Sequence, residues 1–157
     1  MDISQTVEQF LRKQGFSKHL LIRVKQTPMG LSVGGERVYT SRRLCEGDIL
    51  EVRLEEAEDS GNVVPTAMEL DIVYEDEDLL VVNKPAGLPI HPSQGHYENT
   101  LANGMAYYFK EKAEPFVYRV VNRLDRDTTG LLIVARHGLS SAILSEMVKN
   151  RQIHREY

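Results

Sequence analysis

The sequence predicts an α+β fold, and three observations carry that expectation. Two stretches of helical periodicity within the first 26 residues lead into short β-type runs around Gly34-Gly35. An acidic, polar segment then interrupts the pattern, and beyond it apolar β-branched runs are interspersed with two further helical stretches. Because strands and helices do not alternate strictly, the larger part is expected to hold a mixed sheet carrying helices. The organisation reads as a small α+β module over residues 1–56, a linker over 57–68 and a larger unit over 69–157.

In chain order, Ser4 or Thr6 is placed to cap a first helix through Val7, Phe10 and Leu11, with Gly15 as its stop. Ser17 is placed to cap a second through Leu20, Leu21 and Val24, and in each helix this spacing gathers the apolar side chains on one face. Residues 31–33 and 37–39 read as strands joined by a Gly34-Gly35 hairpin turn, and Gly47-Asp48 leads into an alternating strand over 49–54. Residues 55–62 are acidic, polar and glycine-containing, as linkers are. Residues 70–74 and 79–83 read as strands around an acidic turn, after which Pro85, Pro89 and Pro92 break regular structure. Residues 100–110 read as a helix with Leu101, Met105 and Tyr108 on one face, and 138–150 as another with Leu139, Ile143, Leu144 and Met147. Both stripes are expected to pack into the core. Between these helices two apolar runs, 119–121 and 131–135, are expected to form strands holding a charged loop.

Composition bounds the possibilities. Of 157 residues 41% are apolar and 27% charged, ordinary for a soluble globular protein. No apolar run approaches the roughly 20 residues of a membrane helix. The first residues have neither the basic nor the apolar segment of a secretory signal. Cys45 is the single cysteine, which excludes an internal disulfide and a multi-cysteine zinc site, and the expected compartment is the cytoplasm. His91 and His96 lie among Pro, Ser and Gly, without the spacing of a helical metal-binding pair, and read as loop residues. The net charge is −4, yet residues 117–157 carry 7 Lys+Arg against 4 Asp+Glu. A local positive face of that kind suffices for phosphate contact, since attraction is screened within roughly 10 Å at ordinary salt.

The charged loop is the most informative feature. Arg123, Asp125, Arg126 and Asp127 lie between the two apolar runs, followed by Thr128, Thr129 and Gly130. A carboxylate fixed beside guanidinium groups is how a protein presents an ionised nucleophile to an anionic substrate. Residues two apart on an extended chain point the same way, so Arg123 and Asp125 can face one cavity. Asp127 reads as a loop-capping group.

The string Arg123-Leu124-Asp125-Arg126-Asp127-Thr128-Thr129-Gly130 resembles the catalytic motif of RluA-type RNA pseudouridine synthases, usually His-Arg-Leu-Asp-x-x-Thr-Ser-Gly-Leu. This chain departs from it at Asn122 and Thr129, changes that bear on substrate fit more than on chemistry. Asn83-Lys84-Pro85-Ala86-Gly87, followed by His91-Pro92, resembles the family's first motif, in the correct order. Tyr157, with Arg155 at the basic position before it, resembles the family's basic-x-Tyr motif, whose tyrosine lies against the target base. Residues 1–56 resemble the S4 RNA-binding module that often precedes this catalytic domain, with Arg12, Lys13, Lys18, Lys25, Arg42 and Arg43 as candidates to meet phosphates. The family's later motif is missing, so the chain is expected to be a truncated catalytic domain.

The resemblance implies isomerisation of specific uridines to pseudouridine in structured ribosomal or transfer RNA. Asp125 would be the catalytic carboxylate, and Arg123, Tyr157, Arg155 and Lys84 would bind substrate. Lys84 would neutralise phosphate or hold the active-site loop, or Lys84-Pro85 would simply end a strand, the structural reading being the favoured one. No cofactor or metal is implied, because the reaction needs neither redox chemistry nor a group donor. The expected partner is structured RNA, with no membrane, and a monomer by default. Arg123 suits the place vacated by an extruded nucleotide, being planar, charged and able to stack. Two rivals are a non-catalytic RNA-binding protein and a glycoside or nucleoside hydrolase using Asp125 and Asp127 as a carboxylate pair.

Overall fold

The computed structural model describes residues 5–55, 63–95, 97–154 and 156–157. The chain divides into two compact units, Met1–Glu55 and Glu56–Tyr157.

In the first unit, helix α1 (Val7–Lys13) opens on Thr6. The Thr6 hydroxyl accepts from the Gln9 amide, and the Gln9 side chain accepts from the Thr6 amide, a reciprocal cap. Residues 40–43 satisfy two more donors of the first turn, through Val7 N to Arg42 O at 2.8 Å and Glu8 N to Thr40 O at 3.0 Å. Ser4, the other candidate cap, lies outside the described residues. Helix α2 (Lys18–Gln26) is capped by Ser17, which accepts from Leu20 N at 3.1 Å. Val7, Leu11, Leu20, Leu21 and Val24 form the buried faces, joined by Phe16, Leu31 and Val38.

Strands β1 (Leu31–Val33) and β2 (Glu36–Arg37) make an antiparallel hairpin. Its two turn residues, Gly34 at φ 60° and Gly35 at φ 80°, take the left-handed conformations that a two-residue turn matched to strand twist requires. Strand β3 (Leu50–Val52) pairs with the other edge of β1, giving the order β2-β1-β3. It is shorter than the alternation over 49–54 suggests, because Ile49 is 75% exposed and stands outside it.

The second unit is built on β4 (Ile72–Glu75), β5 (Leu79–Lys84) and β6 (Gly130–Ala135) in the order β4-β5-β6. The α+β class holds, with each sheet antiparallel throughout instead of mixed. Helix α3 (Leu101–Glu111), capped by Thr100, covers one sheet face. Leu80, Val82, Ile90, Leu101, Met105, Phe109, Phe116, Leu132 and Val134 make the core there, with Tyr108 packed at its margin.

Helix α4 (Gly138–Lys149) starts from His137, whose ring accepts from Ser140 N at 3.2 Å and meets Asp78 at 2.7 Å through Nε2. Its apolar stripe is not the core element the periodicity predicts. Leu139, Leu144 and Met147 are half-buried and Ile143 is 36% exposed, so the helix leans on β6 without being enclosed.

Two further segments differ from expectation. Residues 63–68, read as the end of a linker, pack along α3: Val64 O accepts from Asn103 Nδ2 at 2.8 Å and Thr66 N donates to Asn103 O at 3.1 Å. Gly104 permits this approach, since a Cβ there would lie 2.4 Å from the Met68 sulfur. Residues 56–62 lie outside the described set. The strand expected before the charged loop is reduced to a bridge between Val120 and Val134, with Ala135 N donating to Arg119 O and Val121 N to Ile133 O, both at 2.8 Å.

Glu75 ties this scaffold together, accepting from Tyr108 at 2.6 Å and Lys112 at 2.7 Å and facing Arg136 at 3.6 Å. Burial pushes its carboxyl up, but the Lys112 and Tyr108 hydrogen bonds and the Lys112 and Arg136 charges outweigh this and leave it below its ordinary value.

Candidate active site

The charged loop is clamped at both ends. Where backbone pairing along β6 stops at Val121, the Asn122 carboxamide takes over: Oδ1 accepts from Ile133 N at 2.8 Å and Nδ2 donates to Leu131 O at 3.0 Å. Asn122, expected to bear on substrate fit, is thus bound to the sheet edge. Its position one residue before Arg123 fixes where the loop leaves the sheet. Replacing Asn122 with Ala should cost about 1 kcal/mol, the net worth of hydrogen bonds that are exposed at Leu131 O and part-buried at Ile133 N, read as a lower urea midpoint. An unchanged midpoint would show that water substitutes for the amide.

At the other end, Gly87 N donates to Arg126 O at 2.9 Å and Arg126 Nε donates back to Gly87 O at 3.3 Å. Thr128 N donates to Asp125 O at 3.1 Å, closing a turn. Lys84 lies beneath, fully buried, with its Nζ donating to Pro85 O at 2.9 Å, Leu88 O at 3.1 Å and Arg126 O at 2.7 Å. Three ammonium protons meet three carbonyls, so none is left for a substrate phosphate. Of the roles open to Lys84, these bonds are those of a group holding the loop, since the one to Arg126 O spans 42 residues. Burial lowers its pKa, while the Asp127 and then the Asp125 charge act the other way.

Between the clamps the chain alternates. Leu124 packs against the core, whereas Arg123 and Asp125 on either side of it are exposed. Among the described residues the Asp125 carboxylate accepts no hydrogen bond and is not ion-paired to Arg123 or Arg126, so the expected carboxylate held between guanidinium groups is not what the structure presents. Arg123 instead lies within electrostatic reach of His91: burial first, and then the Arg123 charge, hold that imidazole below its usual pKa. Asp127, expected to cap the loop, makes no side-chain hydrogen bond among the described residues.

His91, read from the sequence as a loop residue within the first motif, has surroundings that the sequence does not show. Its ring meets Tyr118 edge-on at 5.2 Å, Tyr118 meets Phe116 at 6.3 Å, and Phe116 stacks on Phe109 at 4.1 Å. An aromatic series thus runs from the buried core to the rim beside Arg123. No local spacing announces it, because 32 residues separate His91 from Arg123. Tyr157 is 97% exposed and borders a groove of about 560 Å³ with Asn122, Leu124, Thr129 and Gly130. Arg155 and His96 lie outside the described residues. Among the described residues no helix is long and apolar enough to cross a membrane.

The chain is similar to several known proteins. The chain is 36% identical over 152 residues to YjbO of Bacillus subtilis, an uncharacterized RNA pseudouridine synthase, covering 97% of this chain and 54% of that protein. It is 38% identical over 127 residues to YhcT of the same organism, of the same description, covering 81% and 42%. Ribosomal large subunit pseudouridine synthase D of Yersinia pestis is 36% identical over 127 residues, covering 81% and 39%. The chain therefore spans about half, or less, of the length of these relatives. Residues 78–157, just over half of the chain and the whole of the clamped loop, match the family described as RNA pseudouridylate synthase, and the chain belongs to that family.

Proposed function

We propose that the protein isomerises uridine to pseudouridine in structured RNA, with Asp125 as the reacting carboxylate. The observation that supports this best is the pair of exposed side chains, Arg123 and Asp125, flanking a core-anchored Leu124 on a loop clamped at both ends. The reaction breaks the bond from ribose C1′ to uracil N1, turns the base and forms a bond from C1′ to C5. The C5 proton leaves and N1 gains one, so atoms balance without a cofactor. Asp125 opens the glycosidic bond as nucleophile or base. Arg123 fills the stack left by the extruded nucleotide, Tyr157 supplies an aromatic face for the uracil, and Arg155 lies at the family's basic position.

The first unit is assigned RNA recognition as an S4-like module, through Arg12, Lys13, Lys18, Lys25, Arg42 and Arg43, all exposed. The name of the Yersinia relative favours ribosomal large-subunit RNA as substrate. Incubation with a ribosomal RNA transcript carrying 5-tritiated uridine should release tritium to water. RNA bound without release would favour a binding protein, and free uracil would favour a hydrolase. Arg123→Ala should slow release from structured RNA about tenfold more than from a short unstructured oligonucleotide, since unstacking costs a few kcal/mol only where a stack exists. Equal losses on both would remove Arg123 from base extrusion.

A further inference from the structure

Beside the clamped loop lies a cleft of about 460 Å³ that the roles above leave unused. Its walls include Gly87, Gly95, Tyr97, Glu98 and Arg126, the last of these directly following Asp125 in the chain. We propose that this cleft holds the nucleotide adjacent to the target uridine, its base stacked on Tyr97 and its phosphate at Arg126. This rests on the proposed RNA isomerisation and names a second subsite for the same substrate.

The residue types fit one ligand class. Tyr97 is 66% exposed, an aromatic ring kept in water at the mouth of a concave site. Arg126 is exposed and uses Nε on Gly87 O, while its two Nη groups have no protein partner among the described residues. An aromatic face paired with an unoccupied guanidinium is the arrangement that holds single-stranded nucleic acid, the ring taking the base and the cation the phosphate. Glu98 gives the cleft a polarity: its carboxylate repels a phosphate and accepts from a ribose hydroxyl or base amine. Gly87 and Gly95 have nothing within 4 Å of where a Cβ would stand, which leaves the backbone open to a flat ligand. The volume is within the range that encloses small ligands.

The walls are also fixed in place. Arg126 is held by the Gly87 pair and by Lys84, and the Tyr97 carbonyl accepts from Asn103 Nδ2 at 3.1 Å at the start of α3. Leu101 N donates to Pro89 O at 2.8 Å, joining the two sides. A preformed subsite loses little conformational freedom on binding.

The probe is a set of RNA hairpins with uridine-rich loops, each carrying one 5-iodouridine, irradiated with the protein and mapped by mass spectrometry. A cross-link to Tyr97 from one loop position is expected. Tyr97→Ala should weaken hairpin binding about tenfold and Tyr97→Phe should leave it nearly unchanged, because stacking needs the ring and not the hydroxyl. Arg126→Ala should lower the slope of log affinity against log salt by nearly one. Hairpins that bind with cross-links only elsewhere, and bind equally well to Tyr97→Ala, would overturn the cleft while leaving the isomerase reading intact. A Tyr97 cross-link with no tritium release from tritiated transcripts would keep Tyr97 as an RNA contact but overturn the isomerase reading, and with it the assignment of the cleft to the neighbour of a target uridine. Hairpins that do not bind at all would overturn both.

Discussion

Asp125→Asn is expected to abolish pseudouridine formation, by about a thousandfold or more, while RNA binding changes by no more than a few fold. Asn is nearly isosteric with Asp, and the structural bond made at this position is through the backbone, where Thr128 N donates to Asp125 O. The exposed carboxylate accepts no hydrogen bond among the described residues, so its loss leaves the loop in place. What disappears is chemical: a neutral amide neither attacks a sugar carbon nor takes a proton at neutral pH, and removing a positioned nucleophile or base typically costs about 10² to 10⁴ in rate. Tritium release from 5-tritiated uridine, measured beside a filter-binding assay, separates the two effects. Asp127→Asn is the control, because its side chain is also exposed and its charge, like that of Asp125, acts on Lys84. It should keep at least a tenth of the activity. Full turnover by Asp125→Asn, or its loss only in Asp127→Asn, would move the reacting group.

The parts of this fold that were legible in the sequence are those decided within a few residues. Thr6 and Ser17 cap helices because a side-chain oxygen next to a helical run has its partner amide three residues on. Gly34-Gly35 makes the hairpin because a two-residue turn demands left-handed backbone at both positions. The alternation Arg123-Leu124-Asp125 is local in the same sense. Long-range partnerships were not legible. Asn122 reaches Ile133 only because the chain returns along β6, and residues 63–68 pack on α3 only because Gly104 leaves room for Met68. His91 acquires its place beside Arg123 from an aromatic series contributed by three separate segments. The apolar stripe of α4 was read as core because periodicity reports which face is apolar, not whether another layer covers it.

Lys84 joins the local and the distant, and Lys84→Met should lower the stability of the protein by about 2–4 kcal/mol, with a further loss of activity that stability does not explain. Methionine fills nearly the same volume, so the variant isolates the ammonium from the packing. Three carbonyls, those of Pro85, Leu88 and Arg126, lose their donor at once, and because these bonds are part-buried each loss lies toward the low end of the about 1–3 kcal/mol for orphaning a buried acceptor. The opposing contribution is that an apolar side chain escapes the burial penalty that lowers the pKa of Lys84, which is why the total falls short of three full losses. The effect on function follows from the Arg126 carbonyl, which accepts from both Lys84 Nζ and Gly87 N. With the stronger donor gone, the loop following Asp125 is held by the Gly87 pair and the Thr128 turn alone, and a shift of about 1 Å at a reacting group can cost about a hundredfold in rate. Amide exchange at Gly87 and Thr128 reads this directly: both should exchange faster in Lys84→Met, while Leu80 and Val82 in the middle of β5 keep their protection. Unchanged exchange at Gly87 together with lost activity would return Lys84 to direct contact with substrate, against the three hydrogen bonds that now turn it inward.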